Sequence, residues 1–321
     1  MALHHPCRAS VDSFCFFLPF SSLHSFFFSW RNDHNGFSHQ GPGFVDAVLT
    51  KRGCVTRAYF PVDANTLLAT ASHCFNTQNR VNVIVIDKQP QLQYLTIDEA
   101  IAHREAGISR WAWASTDVEG EEPDVVVVSC GDVMTMEALA AVAYLREHAP
   151  ALKIRFLNVL NLMRLYSPHI HSHGMPDDKF DALFTKTTDI VFAYHSYPTT
   201  LHQLVHNRPN PARFHVRGYI ENGTTTTPFD MVVLNKASRF HLVKRILTCC
   251  KNAPANTQQM LDDCKERLAA HSKYVVENME DQPSVKRQLS ARVRHRSLER
   301  MTRSEELGRV GADCFLAHFC G

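Results

Sequence analysis

The chain has 321 residues, of which 45% are hydrophobic and 21% are charged, and its formal net charge is +2. This composition is typical of a globular protein and excludes a disordered chain, while the small net charge argues against a general nucleic-acid-binding surface. The length exceeds the usual domain size of roughly 100 to 150 residues, so we expect two domains.

The first 29 residues predict a divergent leader without stable structure. Pro19, Ser21 and His24 interrupt its apolar runs and no small-residue cleavage pattern follows, although a signal peptide is the open alternative. The sequence has no run of about 18 uninterrupted apolar residues, so we expect no membrane association. The cysteines form no CxxC pair, which indicates a reducing compartment and predicts a cytoplasmic protein.

From about residue 42 the chain alternates between helix-like and strand-like segments. Asp63 predicts a capped helix over 63–75, and Thr96 with Glu99 forms a capping box for a helix over 96–107. Helices are also predicted at 42–51, 135–150, 177–186, 199–208 and 257–279. Apolar runs predict strands at 54–61, 81–87, 124–130, 153–160, 189–194 and 214–219. This order predicts an α/β fold of two consecutive three-layer units with largely parallel sheets.

Composition also predicts where the units divide. The acidic segment 115–124 contains Gly and Pro and has little to bury, so it predicts a linker. We therefore expect a first unit over 30–118 and a second over 119–285. Residues 286–321 are rich in arginine and predict a divergent basic tail, with an acidic partner for it as the open alternative.

The stretch "RNDHNGFSHQGPGF" is the most unusual in the chain. His34 and His39 lie five residues apart, with Asn35 and Gln40 beside them, and the glycines predict a loop that presents side chains. Histidine can give and take a proton near neutral pH because its unperturbed pKa is about 6.5. The loop leads into a helix N-terminus at Pro42, which suits an anion. Spacing alone leaves a catalytic or ligand-binding loop and a polar turn both open.

Two further segments carry groups that could bind a ligand. Lys88 follows a strand at its carboxyl end, where ligands of open α/β sheets lie, so it is either a phosphate-binding cation or a solvated lysine. The alternating His169, His171 and His173 favour a polar loop over a metal site, because no carboxylate or cysteine completes a ligand set. We therefore expect no bound metal there.

Two other segments have structural interpretations. Gly131 and Asp132 predict a strand-to-helix turn and cap, because the second glycine and the downstream asparagine of a magnesium-diphosphate site are absent. The segment 218–235 has four consecutive threonines and predicts an extended stretch that packs at a domain or subunit interface.

Taken together, these segments resemble the thiamine-diphosphate-dependent phosphoketolases that act on xylulose 5-phosphate and fructose 6-phosphate. The motifs that carry the resemblance, in family order, are "RNDHNGFSHQGPGF", "DANTLLA", "VNVIVIDKQP", "LTIDEAIAHREAGI", "HGMPDDKFDALF", "HVRGYIENGTTTTPFDMVVLN" and "RFHLV". They correspond to about the C-terminal third of a family member. The resemblance implies a transketolase-like fold, with the end of the pyrimidine-binding domain over 30–118 and the family's C-terminal domain over 119–285.

The resemblance also implies an activity, that of an aldehyde-lyase of carbohydrate metabolism that uses thiamine diphosphate and Mg²⁺. The family cleaves its sugar phosphate with inorganic phosphate to acetyl phosphate and an aldose phosphate. Loss of water from the two-carbon adduct demands a proton donor and an anion site. By the resemblance, His34 and His39 are the candidate catalytic proton handlers. Asn35, Gln40 and Lys88 are the candidate substrate- and phosphate-binding residues.

Departures from the family pattern limit what the resemblance implies. Gly41 stands where the family has aspartate, and Asp87 stands where it has glycine. The family's diphosphate and magnesium ligands and its activating glutamate are not found in residues 1–29, so we expect a truncated chain that does not turn over alone.

The implied partners are a sugar phosphate, inorganic phosphate and a second subunit, in a homodimer or with a full-length phosphoketolase. Two alternatives stay open. One is a non-catalytic interaction or regulatory module that docks on a full-length phosphoketolase. The other is a small-molecule-binding α/β module unrelated to thiamine chemistry.

Overall fold

The computed structural model describes residue 30 and residues 43–51, 55–86, 91–221 and 225–285. The predicted leader and basic tail lie outside the described residues. The strands are β1 (Thr56–Tyr59), β2 (Val81–Ile84), β3 (Ile108–Arg110), β4 (Val125–Cys130), β5 (Ile154–Val159), β6 (Ile190–Tyr194) and β7 (Phe214–Arg217). The α-helices are α1 (Gly43–Leu49), α2 (Ala64–Phe75), α3 (Ile97–Ala106), α4 (Asp132–His148), α5 (Asp177–Phe184), α6 (Pro198–Val205), α7 (Pro228–Leu234), α8 (Arg239–Cys249) and α9 (Thr257–Asn278).

The strands form two sheets. A five-stranded sheet has the order β3-β5-β4-β6-β7, in which β3 is antiparallel and the other neighbours are parallel. The strands β1 and β2 form a separate parallel pair. The predicted α/β fold with largely parallel sheets is confirmed. Among the described residues, no helix is both long enough and apolar enough to cross a bilayer.

Apolar side chains cover both faces of the five-stranded sheet, because successive residues of a strand point to opposite faces. Val125 and Val127 of β4 pack with apolar residues of α4 and α8. Val126 and Val128 pack on the other face, in a cluster that also contains Val83 of the small sheet. One apolar core therefore joins the two sheets.

The structure corrects two sequence predictions near the expected linker. The strand β3 is not predicted from the sequence, and it pairs with β5 beyond the expected division at residue 118. The expectation that 115–124 buries little is wrong at Asp117, which is buried and accepts hydrogen bonds from Arg110 and Arg155 at 2.9 and 2.8 Å. Two guanidinium groups beside the sheet require a carboxylate there. The domain division itself stays a prediction.

The expected extended stretch over 218–235 is also partly wrong, because its end forms α7. Thr227 is the N-cap and Pro228 occupies the first turn, where a missing N–H costs nothing. The backbone N–H of Phe229 donates to Asp281 at 3.0 Å. The helix α8, which follows, is likewise not predicted from the sequence.

A buried ion pair joins α4 to α8. Glu137 is fully buried and Arg239 is 3% exposed. The Arg239 side chain donates to both Glu137 carboxylate oxygens, from Nε at 3.0 Å and from Nη2 at 2.7 Å, and its backbone N–H donates to Oε2 at 2.7 Å. This two-point geometry holds the N-terminus of α8 on the α4 layer.

A second buried network crosses the sheet from α3. His103 Nε2 donates to Asn158 Oδ1 at 2.8 Å, because the Asn158 amide donates to Ser129 and Thr135 at 3.0 Å each. His103 Nδ1 therefore accepts from Ser109 at 2.7 Å. Burial, the largest influence, lowers the pKa of His103 to about 4. The imidazole is therefore neutral in the folded chain.

We expect Glu137→Gln to lower the free energy of unfolding by about 3 kcal/mol, because Arg239 then keeps a buried charge without a counter-charge. Urea unfolding measures the change. The exposed Glu266→Gln on α9 is the matched control and changes stability by less than about 0.5 kcal/mol. Equal stabilities for the two variants would contradict the assignment.

The His103 network predicts an acid-side loss of stability. The unfolded chain takes up the His103 proton at a pKa near 6.5 and the folded chain only near 4, so unfolding binds a proton between these values. The free energy of unfolding therefore falls as the pH falls from about 6.5 to about 4, by up to about 1.4 kcal/mol per pH unit for this residue.

Denaturant unfolding at a series of pH values tests this prediction. In His103→Gln the slope is shallower by about one proton across that window. The exposed His202→Gln on α6 is the control. An identical slope in His103→Gln and the unsubstituted chain would show that His103 does not carry the effect.

Candidate active site

The strand order reverses at β4, with β5 on one side of it and β6 on the other. In open α/β sheets, ligands bind in the crevice outside the carboxyl ends of the strands at such a switch point. In this chain Gly131 follows the end of β4 and His195 follows the end of β6. These two residues mark the candidate site.

Gly131 and His195 approach each other closely. A Cβ atom added to Gly131 would lie 2.6 Å from His195 Cβ, and the φ of Gly131 is +95°, a region that favours glycine. Asp132 begins α4, accepts from the Val133 backbone N–H at 2.7 Å and lies 3.5 Å from His195 Nδ1. The predicted strand-to-helix turn is confirmed, with Gly131 as the N-cap residue, but the predicted cap is wrong in that no side chain caps α4 and Asp132 is its first helical residue.

The His195 imidazole is the most unusual group at this edge. The residue is 3% exposed, and its ring lies 5.7 Å from the Phe60 ring between centroids. Neither ring nitrogen has a hydrogen-bond partner among the residues that the structure describes. Buried polar atoms are normally bonded, so such a group needs an explanation. Sequence reasoning missed His195. The signal that could have found it is a histidine directly after an apolar strand.

Both flanks of the histidine-rich motif contact the β6–α6 connection that contains His195. Trp30 Nε1 donates to the His195 carbonyl at 2.9 Å. At the other flank, a Cβ on Gly43 would lie 3.6 Å from the Tyr197 ring. The predicted site residues between these flanks are His34, Asn35, His39 and Gln40, and they lie outside the described residues. Their roles stay predictions.

Lys88 also lies outside the described residues, but the chain around it is well anchored. Before it, the Val85 backbone N–H donates to the Tyr59 carbonyl at 2.9 Å. After it, the N–H groups of Tyr94 and Leu95 donate to Asp63 Oδ2 at 2.9 Å each. Asp63 also caps α2, as predicted, so its buried carboxylate is a structural anchor.

The histidines at 169, 171 and 173 lie in a turn-rich loop, which confirms the predicted polar loop. The His173 backbone N–H donates to His171 Nδ1 at 3.1 Å, and the His171 ring stacks on Tyr166 with 5.0 Å between centroids. Burial, and then the charge of Arg57, lowers the pKa of His171 to about 4. These contacts give the loop a packing role.

The described residues do not fit the cofactor that the resemblance implies. Within these parts of the chain, His, Cys, Asp and Glu side chains form no group of three or more that could hold a metal ion. The Asp132 carboxylate is occupied by the Val133 N–H and lies beside His195. The carboxyl end of β4 therefore lacks the ligand set of a magnesium-diphosphate site.

Curated relatives match the chain closely over most of its length. The probable phosphoketolase of Brucella abortus (strain 2308) is 51% identical over 270 residues, which are 84% of this chain and 34% of the relative. The probable phosphoketolase of Gloeobacter violaceus is 50% identical over 260 residues, 80% of this chain and 32% of the relative. The chain spans about a third of the length of the curated relatives it matches.

Solved structures with a similar fold are transketolases. The enzyme from Leishmania mexicana has a TM-score of 0.51 at 15% identity, over 69% of this chain and 29% of that enzyme. The Campylobacter jejuni enzyme has a TM-score of 0.50 at 12% identity, over 70% of this chain and 31% of that enzyme. The fold is therefore transketolase-like.

Two family descriptions match the chain in order. Residues 19–77, which include the "DHNGFSHQ" motif, match D-xylulose 5-phosphate/D-fructose 6-phosphate phosphoketolase. Residues 88–289 match the C-terminal domain of the same family, and this match alone covers more than half of the chain. The chain belongs to the D-xylulose 5-phosphate/D-fructose 6-phosphate phosphoketolase family.

Proposed function

We propose that this chain forms one wall of a phosphoketolase active site, and that a polypeptide of these residues alone does not turn over. The reaction is cleavage of xylulose 5-phosphate or fructose 6-phosphate with inorganic phosphate to acetyl phosphate and an aldose phosphate. The observation that supports it best is the anchoring of Trp30 and Gly43 on one connection. Both residues lie at the edge of the sheet where ligands bind, and the motif is between them in the sequence.

In this proposal His34 and His39 move protons at the reacting centre. Asn35 and Gln40 orient hydroxyl groups by hydrogen bonds, and Lys88 pairs with a phosphate group. His195 and Trp30 act as positioning residues. The His195 carbonyl accepts the hydrogen bond of the Trp30 indole, and Trp30 stands four residues before His34 in the sequence. Such positioning matters because small displacements of a catalytic group cost rate.

Thiamine diphosphate and Mg²⁺ are the proposed cofactors of the complete enzyme. Because the described residues lack a ligand set for them, we propose that other parts of a phosphoketolase hold both. This chain would then supply proton handling and phosphate recognition to a site completed by those parts.

Fragment complementation tests the proposal. The chain is assayed for acetyl phosphate with fructose 6-phosphate, phosphate, thiamine diphosphate and Mg²⁺, alone and mixed with the part of the Brucella abortus relative that this chain does not cover. We expect no product from the chain alone and measurable product from the mixture. Clear turnover by the chain alone would overturn the inactivity proposal.

A histidine variant tests the role of the motif in the same mixture. His39→Ala lowers the rate by about a hundredfold or more, as expected for loss of a general acid or base. His169→Ala is the matched control, because the His169 side chain is 83% exposed. Equal rates for the two variants, with equal assembly by gel filtration, would remove His39 from the mechanism.

The small sheet favours a second candidate function, docking on a full-length phosphoketolase. Among the described strands β1 and β2 pair only with each other, apart from an isolated bridge between Tyr59 and Asn161, and a two-stranded sheet is marginal by itself. The packed helices α2 and α3 expose large apolar side chains on Leu68, Ile97 and Ile101, which are 54%, 43% and 39% exposed. These features suit burial against the remainder of a family member.

Co-purification tests the docking candidate. We expect the tagged chain to retain a full-length phosphoketolase, and we expect the double variant Leu68→Glu/Ile101→Glu to lose it because charges are costly in an apolar interface. Val276→Glu, at an exposed apolar position on α9, is the control and retains the partner. Docking through α2 and α3 would be contradicted if only the Val276→Glu control lost the partner. It would also be contradicted if the unsubstituted chain did not retain a full-length phosphoketolase.

A further inference from the structure

Basic side chains of β7 and α8 lie close together where these two elements meet, and this region is called the groove. Phe214 and Val216 of β7 belong to the apolar cluster on one face of the sheet, so the alternate residues His215 and Arg217 point to the opposite face. The helix α8 packs on that opposite face, in the same apolar cluster as Ala193 of the neighbouring strand β6. Within the described residues β7 is an edge strand, so the groove lies at an open side of the sheet.

The carboxylate nearest the groove is already engaged. Arg245 of α8 contacts His215 Nδ1 through its Nη2, and a guanidinium group can only donate. His215 therefore carries its proton on Nε2 and donates it to Asp189 Oδ1 at 2.7 Å. Asp189 is thus bonded to the imidazole and makes no direct ion pair with Arg245.

Arg217 has no hydrogen-bond or ion-pair partner among the described residues. Its Nε and the Nε of Arg245 are both buried without a partner. Burial, and then the neighbouring charge of Arg245, lowers the pKa of Arg217. A desolvated guanidinium beside a second guanidinium is an unfavourable arrangement unless an anion accompanies them.

Lys236 and Lys244 add further positive charge close to Arg217, and His241 beside them is neutral. Burial, and then the charges of Lys244, Arg217 and Lys236, lowers the pKa of His241 to about 4. Neither Lys236 nor Lys244 forms an ion pair in the described parts of the chain. Other buried arginines differ. Arg155 and Arg239 pair with carboxylates, and Arg213 donates to three backbone carbonyls.

We propose that the groove between β7 and α8 binds a phosphate-class oxyanion. The guanidinium groups of Arg217 and Arg245 match such an anion because their N–H donors lie in a planar fork, and Lys244 adds a point charge. The Nε atoms of Arg217 and Arg245 have no partner among the described residues, so they leave two donors for a small anion. Free phosphate and the phosphate group of a sugar phosphate share this chemistry. Arg217 pairs with Ala193, two residues before His195, and the groove uses different residues from the candidate active site.

Calorimetric titration of the chain at low ionic strength tests the proposal, with inorganic phosphate and fructose 6-phosphate as separate probes and without cofactor. We expect saturable binding of at least one probe, and dissociation constants about tenfold or more higher in Arg217→Gln and in Arg245→Gln, because each loses charge-assisted hydrogen bonds. Tighter binding of inorganic phosphate identifies a free-phosphate site, and tighter binding of the sugar phosphate identifies a phosphate-ester site. Both results support the groove.

Arg267→Gln is the matched control, because it removes a half-exposed arginine of α9 and leaves the groove intact. It binds the probe as the unsubstituted chain does. Without an anion, Arg217→Gln unfolds at the same or a higher temperature, since it removes a half-buried charge that has no counter-charge among the described residues. The proposal would be overturned if the unsubstituted chain showed no saturable binding, or if Arg217→Gln bound the probe equally well. A lower unfolding temperature of Arg217→Gln with unchanged binding would overturn it too. None of these results depends on turnover, so they are separate from the test of the proposed function.

Discussion

The close approach of Gly131 to His195 is the contact on which the candidate site depends. With any larger residue at position 131, a side chain would overlap the histidine, and the β4–α4 turn could no longer lie against the β6–α6 connection. The β6–α6 connection supplies the His195 carbonyl, which accepts the hydrogen bond of Trp30. It also supplies the Tyr197 ring, which lies beside Gly43. Both flanks of the "DHNGFSHQ" motif therefore lie beside the β6–α6 connection at the carboxyl end of the large sheet.

A shared core joins the two sheets beside the candidate site. Phe60, just after β1, packs with Tyr194 of β6, and its backbone N–H donates to the Leu160 carbonyl after β5 at 2.8 Å. The carboxyl ends of strands from both sheets thus meet around one aromatic ring. Because protein interiors are close-packed, a shift of one sheet would be felt by the other. The region that matches the phosphoketolase description and the region that matches the family's C-terminal domain therefore meet in this core.

Buried charge is handled in two ways in this fold. Around the sheet, Asp117 and Glu137 compensate the guanidinium groups of Arg155 and Arg239, and these pairs attach loops and helices to the core. In the groove beside α8, cations gather without such partners. The first arrangement stabilises the folded chain by itself. The second is complete only with an anion, which is why we infer a ligand there.

The sequence by itself determined the elements whose signals are local. The caps at Asp63 and Thr96 act within one helical turn, and the long apolar runs of β4, β5 and β6 can only be buried strands. The order of these elements is enough for an α/β fold with mostly parallel sheets. The motif "DHNGFSHQ" is likewise local, and it indicated the family and the candidate residues His34 and His39.

Only the tertiary structure decided what depends on distant partners. The strand β3 has three residues and exists because β5 offers it an open edge. The segment before α7 is rich in threonine, and the helix is anchored by Asp281, far along the chain. His195 is ordinary in sequence, and its partnerless imidazole follows from burial against Gly131 and Phe60. Periodicity and capping report only near neighbours, whereas burial and charge compensation are set by residues that the fold brings together.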